Sequence, residues 1–345
     1  MKILFILKER FYNNINVKSY GLINSATHIH NFLIYMGFES KVVTVIDDNF
    51  IDKELYYYKP DIVIIEALWV RPIKLKELIE LPRYSKIKWI IRIHSDIGYL
   101  SAETFALKYI NEYRQLHKDN LYIAPNNKPF CKYLSNAMFY DFIYLPNIVG
   151  RDVCLDKHYR KKYWIEMHIG CFGALRLLKN QLFQALCAIA AADKLNKLLC
   201  FHITIDPKIK EDIPNPILKN LEELFENTGH KLVKHIWQEN DDFQNLVRDM
   251  DLGLQLSYSE SFNIVSADFI HNNTPIVVSD AITWMPDEFK TSTWNYDIVV
   301  NKILEIYKKR RNWFLLRKAR RSLNKHNYIA KKIWCKFLWR LQKIP

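Results

Sequence analysis

Short apolar runs alternate with amphipathic stretches along the whole chain. In the first half, KILFIL (2–7), KVVTVI (41–46), DIVIIEA (61–67), KWIIRIH (88–94), LYIAP (121–125) and FIYLP (142–146) are rich in β-branched residues. Each has the length of a strand, and its nearly unbroken apolar character predicts burial on both faces. Between them lie stretches such as GLINSATHIHNFLIYMG (21–37). There Leu22, Ala26, Ile29, Leu33 and Met36 recur at spacings of three and four, and Gly37 supplies a stop. Doubly buried strands alternating with helices predict an α/β fold with a parallel, doubly wound sheet.

A second series follows the loop at 146–156. HIGCFG (168–173), LLCFHITI (198–205), KLVKHIW (231–237), DLGLQLS (251–257) and PIVVSD (275–280) read as strands. Helical patterns separate them, one including NQLFQALCAIAAA, others near 216–227 and 240–249, and one from about 262. The expected architecture is two doubly wound, Rossmann-like domains, 1–150 and 151–325, joined near 147–160, with a basic helix at 326–345. Ligands of such sheets sit at the carboxyl ends of the strands, so two facing domains would enclose a cleft.

Composition narrows this picture. A chain of 345 residues with 49% hydrophobic and 14% aromatic residues can bury large cores and is not expected to be disordered. No apolar run reaches 18 residues, and the apolar patch of MKILFILKERF is too short for a signal sequence, so a cytoplasmic protein is expected. The six cysteines form no CxxC pair and stand at no metal-ligand spacing from a histidine, which predicts buried free thiols and no metal site. With 8 glycines and neither GxGxxG nor a Walker loop, the common dinucleotide and P-loop sites are excluded. The net charge of +13 is concentrated: residues 301–345 carry 15 Lys/Arg against Glu305 alone, leaving 35 basic and 36 acidic residues in the first 300. A basic tail on a neutral body suggests a polyanionic partner.

The block DLGLQLSYSESFNIVSADFIHNNTPIVVSD (251–280) reads as strand, loop, helix, strand, with Phe262 to Ile270 helical. Glu260 precedes the helix and Asp268 lies eight residues on, two turns into it. The free N–H groups of such a helix start attract phosphate, and two acids can accept hydrogen bonds from sugar hydroxyls. The bland alternative is a dipole-favoured acid at 260 and a solvated one at 268.

This block resembles the C-terminal signature of retaining, two-domain GT-B glycosyltransferases of the sucrose and mannosyl transferase-like group. Glu260-Ser261-Phe262-Asn263-Ile264-Val265, then Asp268, then Asn273-Thr274-Pro275-Ile276-Val277-Val278 follow its order. Ser261 and Asn263 stand where the group has glycines, and Asp268 where it has Glu. The resemblance implies that Glu260 contacts the donor sugar, Asp268 the ribose, and the amides of Phe262, Asn263 and Ile264 the diphosphate, with Ser261 also at the donor-binding position. In HIGCFGALRLLKNQ (168–181), Gly173 ends a strand and Lys179 occupies the group's diphosphate-binding Lys position, with Arg176 near the Arg position. Cations there would neutralise the charge developing on the leaving group. Solvated helix-start cations are the alternative, which the helix dipole disfavours.

His94, at the end of KWIIRIH, matches a strand-terminal His that faces the donor sugar in similar enzymes, although a lone His is as often structural. Asp96 follows it, and Tyr20, Gly21 and Asn24 (with Ser25) lie in the first strand–helix connection, which shapes the acceptor side in the group. LPNIV (145–149) resembles the group's hinge. The resemblance implies a nucleotide-sugar donor, a UDP-sugar first, retention of configuration, and no required metal.

The acceptor is read less directly. YGLINSA, KPDIVIIEALWV and WIIRIHSDIGYL are similar to stretches of phage-encoded glycosyltransferases, which implies a hydroxymethylated pyrimidine in phage DNA and an infected host cell. In the tail, Ile333, Trp334, Phe337, Leu338 and Leu341 form an apolar stripe beside Lys331, Lys332, Lys336 and Arg340. The stripe reads as a helix packing back on the first domain, and the cations as a surface for double-stranded DNA. A cell-surface glycan or lipid acceptor, with the tail on a membrane surface, is the alternative. A non-catalytic DNA-binding module is a further one.

Overall fold

A computed structural model describes residues 1–9, 11–12, 15–16, 20–149, 165–205 and 215–343. The chain divides into two compact units, 1–150 with 326–345, and 151–325.

The first unit holds β1 (Lys2–Lys8), the two-residue strands β2 (Phe11–Tyr12) and β3 (Ile15–Asn16), β4 (Glu39–Val45), β5 (Ile62–Glu66), β6 (Lys88–Ile93) and β7 (Leu121–Pro125). Its helices are α1 (Tyr20–Tyr35), α2 (Ile51–Tyr58), α3 (Pro72–Glu80), α4 (Ile97–Leu100), α5 (Ala106–Gln115) and α6 (Lys128–Met138). Its main sheet is parallel in the order β4-β1-β5-β6-β7, and β2 pairs β3 antiparallel. Every residue of β5 is buried, as its apolar run requires. α1 ends in a Schellman motif: Gly37, at φ +84°, donates to the Ile34 carbonyl and Phe38 to Leu33. Met36, expected on the buried stripe, falls beyond the helix end and is exposed.

FIYLP is not a sixth sheet strand. Ile143 and Leu145 donate to the carbonyls of Ile123 and Pro125, but Pro125 has no N–H to return, and no ladder forms.

The second unit holds β8 (Glu166–Cys171), β9 (Leu198–Ile205), β10 (Lys231–Ile236), β11 (Leu252–Gln255), β12 (Ile276–Ser279) and β13 (Lys290–Thr291). Between and after them run α7 (Gln181–Lys194), α8 (Pro216–Glu226), α9 (Asn240–Asp249), α10 (Ile264–His271) and α11 (Tyr296–Lys308). The sheet order is β10-β9-β8-β11-β12-β13, all parallel. Strand order reverses between β8 and β11, and this switch point is where an open α/β sheet leaves a crevice.

Two glycines hold α10 against this crevice. A Cβ on Gly170 would come within 2.9 Å of the Phe269 ring, and one on Gly253 within 2.7 Å. Phe269 of α10 therefore rests directly on the backbones of β8 and β11.

The long helix α12 (Trp313–Lys343) contributes to both units, which divide it between Lys325 and His326. Its Ala330, Trp334, Phe337, Leu338 and Leu341 are buried with α1 in the core on one face of the first sheet. Lys331, Lys332, Lys336 and Arg340 are exposed beside them. The cation surplus is smaller in space than in sequence. Arg310 lies 3.5 Å from Asp251 and Lys318 pairs with Glu288, acids supplied by distant segments of the second unit. Among the described residues, no helix is long and apolar enough to cross a membrane.

Candidate active site

The loops after β8 and β11 meet at the second unit's switch point. The backbone turns at Gly173, φ +114°, where its N–H donates to the Thr204 hydroxyl at 2.8 Å. The chain then forms a 3₁₀ turn at Leu177–Lys179, and Asn180, in the left-handed region at φ 59°, leads into α7. Asn180 Nδ2 donates to the carbonyls of Leu256 (3.3 Å) and Thr293 (2.8 Å). Gln184 ties the same two loops, donating to the Lys179 carbonyl at 2.7 Å and accepting from the Leu256 N–H at 3.0 Å.

These ties place Lys179 against Glu260. Lys179 Nζ forms an ion pair with Glu260 Oε1, and Glu260 is 7% exposed. Asn263 Nδ2 donates to the same Oε1 at 2.9 Å and to Gln255 Oε1 at 2.8 Å, and Gln255 in turn donates to the Phe172 carbonyl at 2.7 Å. The carboxylate is thus fixed by a cation and an amide, with its Oε1 turned toward both.

The helix starts two residues later than its apolar pattern predicts. Asn263 is the N-cap at φ 63°, and its Oδ1 accepts the Ser266 N–H at 2.8 Å, so α10 begins at Ile264. The left-handed backbone at 263 explains the shift, because it interrupts the helix that Phe262 would otherwise join. Ser261 and Phe262 precede the helix. Phe262 instead stacks on Trp284 at 5.7 Å, and its carbonyl accepts from Trp284 Nε1 at 2.7 Å. The amides of Ile264 and Val265 lie in the first turn, where an α-helix supplies no internal partners.

Asp268 consequently lies one turn into α10, not two, and is half-buried toward α9, where Gln244 Nε2 donates to it at 2.8 Å. Arg176 is exposed at the start of the 3₁₀ turn. Gln255, Asn180, Gln184 and Thr204 were not singled out by the sequence. For Gln255 and Thr204 the signal is a polar residue inside or at the end of an apolar strand; Asn180 and Gln184 lie at the cap and in the first turn of α7.

The first unit has its own polar cluster at the carboxyl ends of β5, β6 and β7. Glu66 and Arg92 are register partners across β5 and β6, both fully buried, with Arg92 Nη1 2.8 and 3.0 Å from the two Glu66 oxygens. Arg92 Nη2 donates to Asn147 Oδ1 at 2.7 Å. His94 Nε2 hydrogen-bonds Glu66 Oε2, and Asn126 Nδ2 lies 3.4 Å from His94 Nδ1. A carboxylate only accepts, so the network assigns the proton to Nε2 and the lone pair to Nδ1. Burial pushes the His94 pKa down against the pull of Glu66. Burial alone would raise the Glu66 carboxyl, but Arg92 and His94 outweigh it and hold it below the ordinary range. Within its unit His94 is therefore a neutral ring oriented by a buried acid. Glu66, Arg92, Asn126 and Asn147 were missed, although charges inside IVIIE and WIIRI are the signal that could have found two of them.

On the acceptor side, Tyr20 opens α1 and its side chain lies outside the described residues. Gly21 is exposed, and a Cβ there would meet nothing within 4 Å, so no steric demand for glycine exists. Asn24 is half-buried on α1, and Asp96 precedes α4 without capping it. Among the described residues, Lys8, Asp47, Asp48, Asn49, Trp69, Arg71 and Tyr109 line a cavity of about 410 Å³ in this unit. Arg71 there makes two 2.8 Å bonds to the Asp48 carboxylate.

No protein-family model matches the chain, and no curated protein matches it in sequence. Solved structures do match. Sucrose-phosphate synthase from Thermosynechococcus elongatus superposes with a TM-score of 0.67 at 11% identity, over 99% of this chain and 98% of that one. The chain has the GT-B fold. A UDP-forming trehalose-phosphate synthase from Burkholderia xenovorans, also GT-B, gives 0.63 at 9% identity over 100% and 99% of the two chains. TarM from S. aureus, solved in complex with Fondaparinux, alpha-GlcNAc-glycerol and UDP, gives 0.55 at 14% identity. That match covers 81% of this chain, which spans about half of TarM (55%). Identities this low carry the GT-B fold alone.

Proposed function

We propose that the protein is a retaining glycosyltransferase that moves a sugar from a nucleotide-sugar, a UDP-sugar first, to a hydroxyl acceptor. The observation that carries the reading is the Glu260–Lys179 pair held by Asn263 at the switch point of the second unit. In this reading Glu260 accepts hydrogen bonds from donor sugar hydroxyls, and Lys179, with Arg176, faces the diphosphate. The first-turn amides of α10, Ile264 and Val265, add N–H donors, and Gly173 lets the loop approach closely. Asp268 takes the ribose hydroxyls after exchanging its Gln244 contact. His94 is read as a further contact for a donor hydroxyl through Nδ1, which lies 3.4 Å from Asn126 Nδ2.

In the reaction, the bond from the anomeric carbon to the phosphate oxygen breaks and the bond to the acceptor oxygen forms on the same face. The acceptor proton passes to the leaving phosphate oxygen. Cations and N–H groups stabilise the charge growing on the diphosphate, work done by a metal elsewhere, so no metal is required at this site. That TarM is solved with UDP and the Burkholderia enzyme is UDP-forming supports UDP as the leaving group.

For the acceptor we favour a hydroxymethylated pyrimidine in DNA, on the exposed cations of α12, including Lys331, Lys332, Lys336 and Arg340. A base inside a duplex would have to flip out to react. A membrane-face glycan or lipid acceptor is the second reading, favoured by the exposed Trp313, Phe314 and Trp339 on the same helix. Incubation with labelled nucleotide-sugars and hydroxymethylated DNA, plain DNA or glycolipid vesicles separates them. Label on modified DNA alone supports the first reading, and label on vesicles alone replaces it with the second. In either case Glu260→Gln is expected to lower transfer at least about 100-fold with the fold intact; unchanged transfer would remove Glu260 from the site.

A further inference from the structure

A second constellation lies in the amino-terminal half of the same sheet, away from the carboxyl ends. Glu166 and His168 are two residues apart on β8 and so share one face. Cys200 of β9 is the register partner of His168 and projects on that face too. One ligand atom from each of Glu166, His168 and Cys200 lies within 4.8 Å of the others. Strand register, not local spacing, brings Cys200 to His168.

The spacing suits a tetrahedral ion. Bonds of about 2.0–2.3 Å to zinc separate neighbouring ligand atoms by roughly 3.3–3.8 Å. His168 Nε2 is 3.2 Å from Glu166 Oε2, so a small outward movement admits the ion. Mixed carboxylate, imidazole and thiolate donors suit a borderline divalent transition metal better than calcium or magnesium.

The outer contacts are in place as well. Lys231 holds the other carboxylate oxygen, Glu166 Oε1, at 3.2 Å and leaves Oε2 facing the site. His168 Nδ1 is 2.9 Å from His202 Nε2, and His202 Nδ1 is 2.8 Å from His235 Nε2. Metal-bound histidines are held by such a bond through their second nitrogen. Cys200 is 3% exposed while the Glu166 side chain is 29% exposed, which leaves an entry beside the carboxylate.

We propose that Glu166, His168 and Cys200 bind one borderline transition-metal ion, zinc in the first instance, with water completing the tetrahedron and His202 and His235 orienting His168. Without the ion, His168 donates its Nε2 proton to Glu166, and the N–H bonds run from His235 through His202 to His168. Binding at Nε2 reverses this direction. The Nε2 and thiol protons leave, each ring passes its proton to the next, and His235 takes one from water. The site is separate from the donor machinery, so failure of either reading leaves the other standing.

The test uses the full chain stripped of metal, titrated with Zn²⁺ against a chromogenic chelator and with Co²⁺ as a spectroscopic probe. One equivalent of each is expected to bind, Co²⁺ with a thiolate-to-metal charge-transfer band, and the melting temperature is expected to rise. Cys200→Ser should abolish the band and weaken Zn²⁺ binding at least 100-fold, while Cys187→Ser, a buried thiol of α7, should change neither. His202→Phe should weaken binding about 10–100-fold. Glu166→Gln, at a partly exposed position that a folded chain tolerates, should weaken Zn²⁺ binding at least tenfold. Binding below one equivalent, or binding undiminished in folded Cys200→Ser and Glu166→Gln chains, overturns the proposal.

Discussion

Replacing Asn263 separates backbone strain from side-chain bonding at the centre of the candidate site. Its φ of 63° is open to glycine but costs alanine about 1–2 kcal/mol. Its side chain caps Ser266, a bond worth about 1 kcal/mol against alanine and a few tenths against glycine. It also donates to Gln255 and Glu260 in a buried setting, and leaving those acceptors short costs about 1–3 kcal/mol in total. Asn263→Ala is therefore expected to destabilise the second unit by about 3–6 kcal/mol, and Asn263→Gly by about 1–3 kcal/mol. The difference, about 2 kcal/mol, isolates the backbone and the cap. Urea unfolding with hydrogen exchange read on α10 and β11 measures it. Equal losses in the two variants, within about 0.5 kcal/mol, would refute the left-handed start of α10 and return the helix start to Ser261 or Phe262. Glycine is also the residue of the resembling glycosyltransferases here, so Asn263→Gly is expected to keep more transfer than Asn263→Ala.

Glu66→Gln should destabilise the first unit by about 3–5 kcal/mol, because it leaves the Arg92 charge buried without its partner; a loss below about 1 kcal/mol in thermal or urea unfolding would contradict that burial. The His94 pKa is depressed in the folded chain, so the unfolded chain binds the extra proton and stability falls as pH drops below about 6.5, by at most about 1.4 kcal/mol per pH unit. Between pH 6.5 and 4.5, above the range where Glu66 adds its own loss, the urea midpoint of His94→Asn should fall less steeply than that of the unaltered chain; parallel curves would deny the shift. Changing Lys331, Lys332, Lys336 and Arg340 together to Ser should leave the Trp334 core intact and reduce the salt dependence of DNA binding, the log–log slope falling by up to about 0.9 per lost phosphate contact. An unchanged slope would take DNA off this face of α12.

The central strands were legible because an apolar run such as IVIIE is buried on both faces; KVVTVI, expected to be buried likewise, forms the edge strand β4 and keeps exposed positions, as the edge strand β10 does, because an edge has one neighbour only. Some helix limits were legible too: α9 falls at 240–249 as its pattern predicts. FIYLP failed for want of a partner N–H, and the start of α10 because one left-handed residue overrides an apolar period that continues through Phe262. The candidate site was half legible. Glu260 and Lys179, 81 residues apart, were named from motifs, but their ion pair depends on Asn180 and Gln184 tying two loops together. Glu66 and Arg92, like His168 and Cys200, meet only through strand register, which no local spacing encodes. The cations of residues 301–345 were over-counted because Asp251 reaches Arg310, just before α12, and Glu288 reaches Lys318 within it.

The central claim is that the Glu260–Lys179 assembly holds a nucleotide-sugar donor. Calorimetric titration of the full chain with a panel of nucleotide-sugars tests it directly, together with release of the nucleoside diphosphate in the presence of hydroxymethylated DNA or glycolipid vesicles. Saturable binding of at least one donor is expected, UDP-sugars first, with affinity lost at least about tenfold in Lys179→Ala and release abolished in Glu260→Ala. Absence of binding and release with every donor, or binding indifferent to both substitutions, would contradict it.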